Sequence, residues 1–266
     1  MSVRPPAVAG QFYPDNADEL LTYIRQTLSR CSTLIAHPKA IIVPHAGYIY
    51  SGLTAACAYA TLDAKRVHRV LLLGPAHRMP FYGMSLPDSD AFATPLGQVT
   101  LDRQAMDELL ELPDVSLNAA AHTLEHSLEV QLPFLQATLT NFTLVPVCVG
   151  SADIASVASA IDHMWGDEDT LIVISSDLSH FHTYDIAKNI DQQSIEKILA
   201  GTPDLNHEQA CGATPVNGLL LAAKHHPITP HLLDYRNSGD TAGDKHRVVG
   251  YTSIAFTEAG KEIMHG

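Results

Sequence analysis

The sequence of 266 residues carries little positive charge and has no long apolar run. Its 16 Lys and Arg residues face 29 Asp and Glu residues, so the formal net charge of −13 repels phosphate backbones and anionic lipid headgroups. We therefore expect neither nucleic acid nor a membrane as a partner. No segment approaches the roughly 20 uninterrupted apolar residues of a membrane helix, and the N-terminal residues lack the apolar core of a secretion signal. These absences predict a cytoplasmic protein.

Cysteine is also scarce, and its spacing excludes the usual structural sites. Cys31, Cys57, Cys148 and Cys211 are scattered singly, without a Cys-x-x-Cys pair. A disulfide framework or a zinc knuckle is therefore poorly supported, and ordinary buried thiols are expected.

Several catalytic motifs are missing from the chain. It contains no Gly-x-Ser-x-Gly elbow, no Gly-x-x-x-x-Gly-Lys-Ser/Thr loop, no Gly-x-Gly-x-x-Gly after a strand and no His-Glu-x-x-His helix. Nucleotide binding and α/β-hydrolase catalysis thus lose their main sequence support.

What the chain does contain is an alternation of short apolar runs and helical stretches. Continuous Val, Ile and Leu runs are typical of parallel strands covered on both faces, and they lie at residues 40–43, 70–73, 144–149 and 171–174. Helices are predicted at residues 51–62, 124–139, 153–165 and 187–199. The alternation, without any linker, predicts one α/β domain over residues 1–266 with a mixed, mainly parallel sheet flanked by helices.

Two further segments complete this predicted architecture. Residues 83–101 are punctuated by proline and glycine and resemble a hairpin over the sheet edge that could wall a pocket. Strand character returns at residues 231–234 and 248–256, which are expected to close the same sheet.

The 15 histidines are the first functional indication, because several directly follow the apolar runs. His45, His77, Asp177 and His180 all lie at such strand ends. In open α/β sheets the loops at the carboxyl ends of the strands converge on the ligand site. We predict His45 and His77 as metal ligands. The alternative for each histidine is a bond to a loop carbonyl and no further role.

Asp177 and His180 are predicted as catalytic residues. A carboxylate at residue 177 can orient an imidazole or bind metal, and His180 can act as a general base or acid near neutral pH. The alternative for Asp177 is a helix N-cap, a common role for aspartate at a strand-to-helix turn.

A glycine-punctuated acidic loop at residues 237–244 offers a third ligand. Asp240 would supply an anionic oxygen and complete a set of two histidines and one carboxylate with His45 and His77. A solvated turn is the competing interpretation, since Ser, Gly and Asp all favour turns.

Residues 122–133 resemble the start of a helix. His126 and Glu129 are three positions apart and would share one helical face that points toward the site. A charged first turn is the competing explanation for Glu129. Together with Tyr48 and Thr241, these two are predicted as additional pocket residues.

Taken together, the ordered blocks resemble the Memo family, whose bacterial and archaeal branch is called AmmeMemoRadiSam system protein B. The blocks are Ala-Gly with Phe-Tyr-Pro at residues 9–14, Pro-His-Ala-Gly-Tyr at 44–48, Gly-Pro-Ala-His at 74–77, Glu-His-Ser-Leu-Glu at 125–129, Ser-Asp-Leu-Ser-His at 176–180 and Gly-Tyr at 250–251. The resemblance runs from residue 8 to residue 256, nearly the whole chain.

This resemblance implies a fold similar to the class III extradiol dioxygenases, which are non-haem Fe(II) enzymes. His45 and His77 match the two metal-site histidines, and His180 matches the acid/base histidine of those enzymes. The third ligand, a glutamate in the dioxygenases and a cysteine in animal Memo proteins, is replaced here by a loop with Asp240 and Thr241. An oxygen ligand would favour Fe(II), with copper or zinc as alternatives.

Three functions remain open at this point. The first is oxidation of a small molecule at a non-haem metal site. The second is a binding module that takes a peptide or partner protein into the same pocket without turnover. The third is zinc-dependent hydrolysis, because such sites also bind Zn²⁺ and activate its water.

Overall fold

The apolar runs form the buried strands of a large sheet. The computed structural model describes residues 2–32 and 35–258. The strands are β1 (Val3–Arg4), β2 (Ala40–Val43), β3 (Arg69–Pro75), β4 (Met84–Leu86), β5 (Ala91–Thr94), β6 (Gly97–Thr100), β7 (Val115–Leu117), β8 (Thr143–Val149), β9 (Thr170–Ser175), β10 (His180–His182), β11 (Ile228–Asn237) and β12 (Val248–Glu258). Every residue of β2 and β9 is buried, as the predicted cover on both faces requires.

Helices flank this sheet and supply the cover. They are α1 (Ala17–Leu28), α2 (Tyr48–Tyr59), α3 (Arg103–Leu109), α4 (Ala119–Thr123), α5 (Leu132–Thr138), α6 (Ile154–His163), α7 (Tyr184–Leu199) and α8 (Ala213–Ala222), with short 3-10 turns at Glu129–Gln131 and Ser238–Asp240. None of the helices in residues 2–32 and 35–258 is long and apolar enough to cross a membrane.

The order of the strands decides which loops meet. The main sheet has nine strands in the order β10-β12-β2-β9-β3-β8-β4-β7, with β11 paired to β12. Strands β2, β9, β3 and β8 are parallel neighbours, so their carboxyl ends lie at one edge. The predicted fold class, an α/β domain with a mixed sheet flanked by helices, is confirmed.

The C-terminal strands close the sheet, as expected. Strand β12 pairs antiparallel with β2 and with β11. It also pairs with β10, which follows β9 in the chain. This arrangement brings the 3-10 turn Ser238–Asp240 and the loop after it toward the edge that carries the ends of β2 and β9.

The excursion at residues 83–101 divides between two sheets. Strand β4 extends the main sheet by pairing with β8 and β7. Strands β5 and β6 form the predicted hairpin, and β1 joins it in a separate three-stranded sheet.

The helix predicted at residues 124–139 is wrong in its first half. Helix α4 ends at Thr123, and α5 begins only at Leu132. Between them the Glu125 carboxylate accepts hydrogen bonds from the backbone N–H groups of His126 and Ser127, each at 2.9 Å. Such local side-chain bonds hold the backbone in a non-helical turn. His126 and Glu129 therefore do not share a helical face.

Candidate metal centre

The predicted ligands His45 and His77 each lie two residues beyond a strand, His45 after β2 and His77 after β3. Both are therefore at the common carboxyl edge. Strand β9 runs between these two strands, and residues Asp177 and His180 follow it. The parallel order thus brings side chains from three strands to one place, as loops at this edge of an α/β sheet do.

His45 is buried, with 2% of its surface exposed, and its tautomer is fixed by Ser175. The Ser175 hydroxyl donates its one proton to the Ser127 carbonyl at 2.6 Å and accepts from the Gln131 amide at 2.8 Å. The His45 Nδ1 atom, 2.9 Å from the same hydroxyl, must then be the donor. The Nε2 lone pair remains for another partner.

His77 is oriented by a buried carboxylate. Its Nδ1–H donates to Glu125 Oε1 at 3.0 Å, and its backbone N–H donates to Glu125 Oε2 at 2.5 Å. Burial on its own would raise the pKa of Glu125, but the hydrogen bonds from His77 and the Ser127 backbone outweigh it and hold that pKa well below its ordinary value. The ionised carboxylate therefore fixes the His77 tautomer with Nε2 free, a common arrangement behind metal-binding histidines.

His126 is the third imidazole of the site. Its ring centroid lies 4.6 Å from that of His77 and 4.7 Å from the Phe12 ring. Burial lowers the pKa of His126 to about 4, opposed by the charge of Glu125 and aided by that of His77. Its buried Nδ1 atom forms no hydrogen bond, although it lies 3.3 Å from Glu125 Oε1. The lowered pKa keeps the ring neutral at pH 7.

These three imidazoles form a group that could hold a divalent metal ion. One ring nitrogen each from His45, His77 and His126 lies within 4.8 Å of the other two. Nitrogen ligands about 2.1 Å from an ion are at most about 4.2 Å apart, so small ring rotations suffice. Burial and the nearby charges of His77 and His126 hold the pKa of His45 well below its usual value. His45 and His126 therefore offer ring-nitrogen lone pairs at neutral pH.

Asp177 and His180 both face the same cavity. The buried Asp177 carboxylate accepts hydrogen bonds from the backbone N–H groups of His45 and Ala46, at 2.7 and 3.3 Å. Burial raises the pKa of Asp177, although the charge of His180 and these two hydrogen bonds act to lower it. It is not a helix N-cap, since α7 begins at Tyr184 after Thr183. The Nδ1–H of His180 donates to the Leu178 carbonyl at 2.8 Å, which leaves Nε2 free.

The structure does not bring Asp240 to these histidines. Its carboxylate accepts from the Tyr184 hydroxyl at 2.6 Å and from the Asn237 backbone N–H at 3.0 Å, as part of a capping box. It is exposed and does not line the cavity. The neighbouring Thr241 is also exposed and donates to the Ser238 carbonyl. The prediction of Asp240 as third ligand thus has no geometric support, because local turn bonds occupy both carboxylate oxygens.

Glu129 and Tyr48 lie behind the cavity and stabilise the fold. The fully buried Glu129 carboxylate accepts from Arg4 Nη1 and the Tyr13 hydroxyl, both at 2.6 Å, and from two backbone N–H groups. The Tyr48 hydroxyl donates to the Val130 carbonyl at 2.7 Å. Neither side chain lines the cavity.

Cys211 is a site residue that the sequence analysis did not identify. Its Sγ atom lies 3.3 Å from His45 Nε2 and accepts from the Asp177 backbone N–H at 3.3 Å. Burial raises the pKa of Cys211 to about 12, so it is a thiol. No local sequence pattern predicts that Cys211 belongs to the site, because the loop before α8 contacts the end of β9 only in the folded chain.

The cavity over the histidines measures about 480 Å³, within the usual range for small-molecule sites. Aromatic side chains of Phe12, Tyr50 and Tyr251 form part of its wall, and Arg247 lies at its rim. No residue of the segment 83–101 is among its lining residues. Pro87, Asp88 and Ser89 of this segment instead line a separate pocket with His122. The excursion therefore walls a pocket, as predicted, but not the cavity over the three histidines.

Comparison with known proteins agrees with this architecture. A family model described as Memo-like protein matches residues 4–255. The MEMO1 family protein TV1383 of Thermoplasma volcanium is 34% identical over 264 residues, covering 95% of this chain and 97% of that protein. A MEMO1 family protein of Aquifex aeolicus is 37% identical over 273 residues, with 96% and 100% coverage.

Among solved structures, uncharacterized protein JW3007 from Escherichia coli K12 is similar in fold. The TM-score is 0.50 at 14% identity, and the match covers 81% of this chain and 99% of that chain. At this identity the likeness concerns the fold alone. The family match, by contrast, spans nearly the whole described chain and includes all three clustered histidines. The chain belongs to the Memo-like protein family.

Proposed function

We propose that this protein is a metal-dependent oxidoreductase that acts on a small molecule in the cavity above His45, His77 and His126. The observation that carries the proposal is the convergence of three imidazoles, with ring nitrogens within 4.8 Å of each other, on an open cavity. Three protein ligands leave coordination positions free, which distinguishes a catalytic from a structural metal site.

Fe(II) is the metal that we propose, with zinc and copper as alternatives. Imidazole nitrogen is a suitable ligand for all three. When bound, Fe(II) would supply the redox chemistry that the protein's own side chains lack. Glu125 and Ser175 would hold the first two imidazoles in the tautomers that present Nε2, so ligand geometry would not depend on the metal.

His180 is the proposed proton acceptor and donor. Its Nδ1–H is engaged by the Leu178 carbonyl at 2.8 Å, so Nε2 is available to a substrate hydroxyl in the cavity. Asp177 would position His45, because its carboxylate holds the backbone N–H groups of His45 and Ala46.

The wall of the cavity suggests a small aromatic substrate with negative charge. Phe12, Tyr50 and Tyr251 offer ring surface, and Arg247 offers a guanidinium at the rim. The Arg247 guanidinium also lies 4.9 Å from the Phe181 ring centroid. This contact restricts the orientations that the guanidinium can adopt. Arginine recognises carboxylates through paired hydrogen bonds.

The test is metal analysis of protein purified without oxygen, followed by oxygen-uptake assays with small aromatic diols. We expect stoichiometric iron in the native protein and its loss in His45→Ala. His180→Ala should keep the metal and lose turnover. His225→Ala is the matched control, since His225 is an exposed histidine paired with Asp162 away from the cavity. A native protein that takes up no metal contradicts the proposal.

Zinc-dependent hydrolysis is the second candidate, and the all-imidazole group specifically favours it. Three histidines and one water form a known catalytic zinc set, in which the pKa of the water falls to about 7. Turnover of esters or amides that needs zinc and proceeds without oxygen would identify this activity and exclude the oxidative one.

A third candidate is recognition of a peptide or partner protein in the same cavity. Ile49 and Phe181, next in the chain to the lining residues Tyr50 and His180, are 62% and 60% exposed. Exposed apolar side chains around a pocket are typical of interaction sites. Partner binding that is lost in Phe181→Ser while metal content is unchanged would support this function.

A further inference from the structure

Two cysteines outside the metal centre lie together where α1 and α2 pack. Cys31 follows α1, and its Sγ atom is 3.5 Å from the Thr27 carbonyl and 3.8 Å from the Leu53 carbonyl. Cys57 lies one turn after Leu53 on α2. In a helix the carbonyl of one residue points along the axis toward the residue four positions later. The Cys31 sulfur therefore sits beside Cys57.

The two thiols also influence each other directly. A hydrogen-bonding interaction with the Cys57 thiol is the largest influence on the pKa of Cys31 and lowers it. Burial and the charge of Asp234 oppose this effect, and the charges of Arg236 and Arg30 add to it. The same interaction with Cys31 raises the pKa of Cys57, and burial adds to that increase. Cys31 is thus the nucleophilic partner, since the thiolate is the reactive form.

Solvent exposure and environment distinguish Cys31 and Cys57 from the other two cysteines. Cys31 and Cys57 are partly exposed, whereas Cys148 is fully buried. Cys211 is partly exposed but lies beside His45, and burial raises the pKa of its thiol to about 12. Oxidation of cysteine follows thiolate character and exposure, and a neighbouring thiol favours reversible products.

We propose that Cys31 and Cys57 form a redox-active dithiol that a small hydroperoxide converts into an intramolecular disulfide. The Cys31 thiolate attacks the peroxide, the O–O bond breaks, and the departing oxygen takes a proton and leaves as water or alcohol. Cys31 is then a sulfenic acid. The Cys57 sulfur attacks it, the S–O bond breaks, and water leaves with the thiol proton.

Electrons balance over these two steps. The two thiols lose two electrons together, and these reduce one hydroperoxide. A dithiol reductant reverses the oxidation by thiol–disulfide exchange. The new bond would span residues 31–57 and so enclose the loop that carries His45.

The experiment is mass spectrometry of the whole protein after brief treatment with stoichiometric hydrogen peroxide and alkylation. Before alkylation we expect a mass lower by two hydrogen atoms. After alkylation of the unfolded chain we expect two of the four cysteines to be protected and one peptide pair to be joined through Cys31 and Cys57. Dithiothreitol should restore all of these thiols. Retention of every alkylatable thiol, a disulfide that involves Cys148 or Cys211, or cross-linked dimers would overturn the proposal.

Single variants distinguish the two roles. In Cys57→Ser, peroxide should leave a sulfenic acid on Cys31 that dimedone traps, whereas in Cys31→Ser it should leave Cys57 as a thiol. Cys148→Ala is the matched control and should still form the disulfide. Unchanged circular dichroism of the serine variants would establish that they fold. Equal dimedone labelling of both serine variants would contradict the assignment of Cys31 as nucleophile.

Discussion

The Glu125 Oε1 atom lies 3.0 Å from His77 Nδ1, and Oε2 of the same carboxylate accepts the His77 backbone N–H. One buried acidic side chain thus fixes both the ring and the main chain of a candidate ligand. The same Oε1 atom also holds the backbone of His126. Two of the three imidazoles therefore depend on a single residue for their position.

Glu125→Gln should weaken metal binding by about 10-fold to 100-fold, as loss of a partner behind a metal-bound histidine commonly does. The amide has one acceptor oxygen where the carboxylate used two, so the His77 tautomer is no longer fixed. Calorimetric titration of the metal-free protein measures the effect. Glu196→Gln, at an exposed position on α7, should leave the affinity unchanged; equal affinity in both variants would refute the role of Glu125.

Metal binding should raise the melting temperature, because a ligand that binds only the native state stabilises it by mass action. At a free metal concentration about 100 times the dissociation constant, the expected gain is about 2.7 kcal/mol. Thermal unfolding with and without a chelator measures it. His45→Ala should abolish the shift and His225→Ala should keep it. A shift that survives in His45→Ala would place the metal elsewhere.

Glu129→Gln should lower the free energy of unfolding by about 3 kcal/mol or more, because it leaves the Arg4 guanidinium buried without its counter-charge. The new amide would also point N–H groups at the Tyr13 hydroxyl and at backbone donors that the carboxylate accepted. Urea unfolding measures the change. The exposed Glu111 provides the control Glu111→Gln, for which we expect less than about 0.5 kcal/mol.

The stability of the metal-free protein should fall as the pH drops below 6.5, in part because of His122. Burial lowers the pKa of His122 to about 4, partly opposed by its bond to the Ser85 carbonyl. As the pH falls, His122 is therefore protonated in the unfolded chain before it is protonated in the folded protein. Its contribution to stability is fully present above its pKa in the unfolded chain and is lost as the pH falls below that pKa. From pH 7 to pH 5 this residue accounts for about 2 kcal/mol.

The matched measurement compares urea unfolding of the native chain and His122→Gln at both pH values. The variant is less stable at neutral pH, but its stability should fall by about 2 kcal/mol less on acidification. His246→Gln, at an exposed site, should retain the native pH dependence. Identical pH dependence of the native chain and His122→Gln would contradict the prediction.

The apolar runs were sufficient to predict the four parallel neighbours β2, β9, β3 and β8 of the sheet. β2 matches residues 40–43, and β3, β8 and β9 each extend the predicted run by one to three residues. This succeeds because burial on both faces demands continuous Val, Ile and Leu in the chain itself. The placement of His45 and His77 at the carboxyl edge follows from the same pattern. Their tautomers do not, since Ser175 and Glu125 are distant in sequence.

Whether Asp240 or His126 completes the candidate group with His45 and His77 could not be decided from local sequence. Asp240 stands in a loop of suitable composition, yet the loop's own hydrogen bonds and Tyr184 hold its carboxylate. His126 takes the place beside His45 because Glu125 turns the backbone there instead of allowing a helix. Side-chain hydrogen bonds to the backbone compete with the backbone bonds of a helix, and the packing around the segment decides which of the two forms.

The sequence by itself determined the fold class, the strand ends that carry His45, His77, Asp177 and His180, and the family of this protein. Tertiary structure alone decided that His126 joins the first two histidines, that Cys211 lies beside His45 and that Cys31 meets Cys57. The reason is physical: hydrophobic periodicity is written along the chain, residue by residue. A site of converging side chains exists only after strand order and helix packing have brought distant segments together.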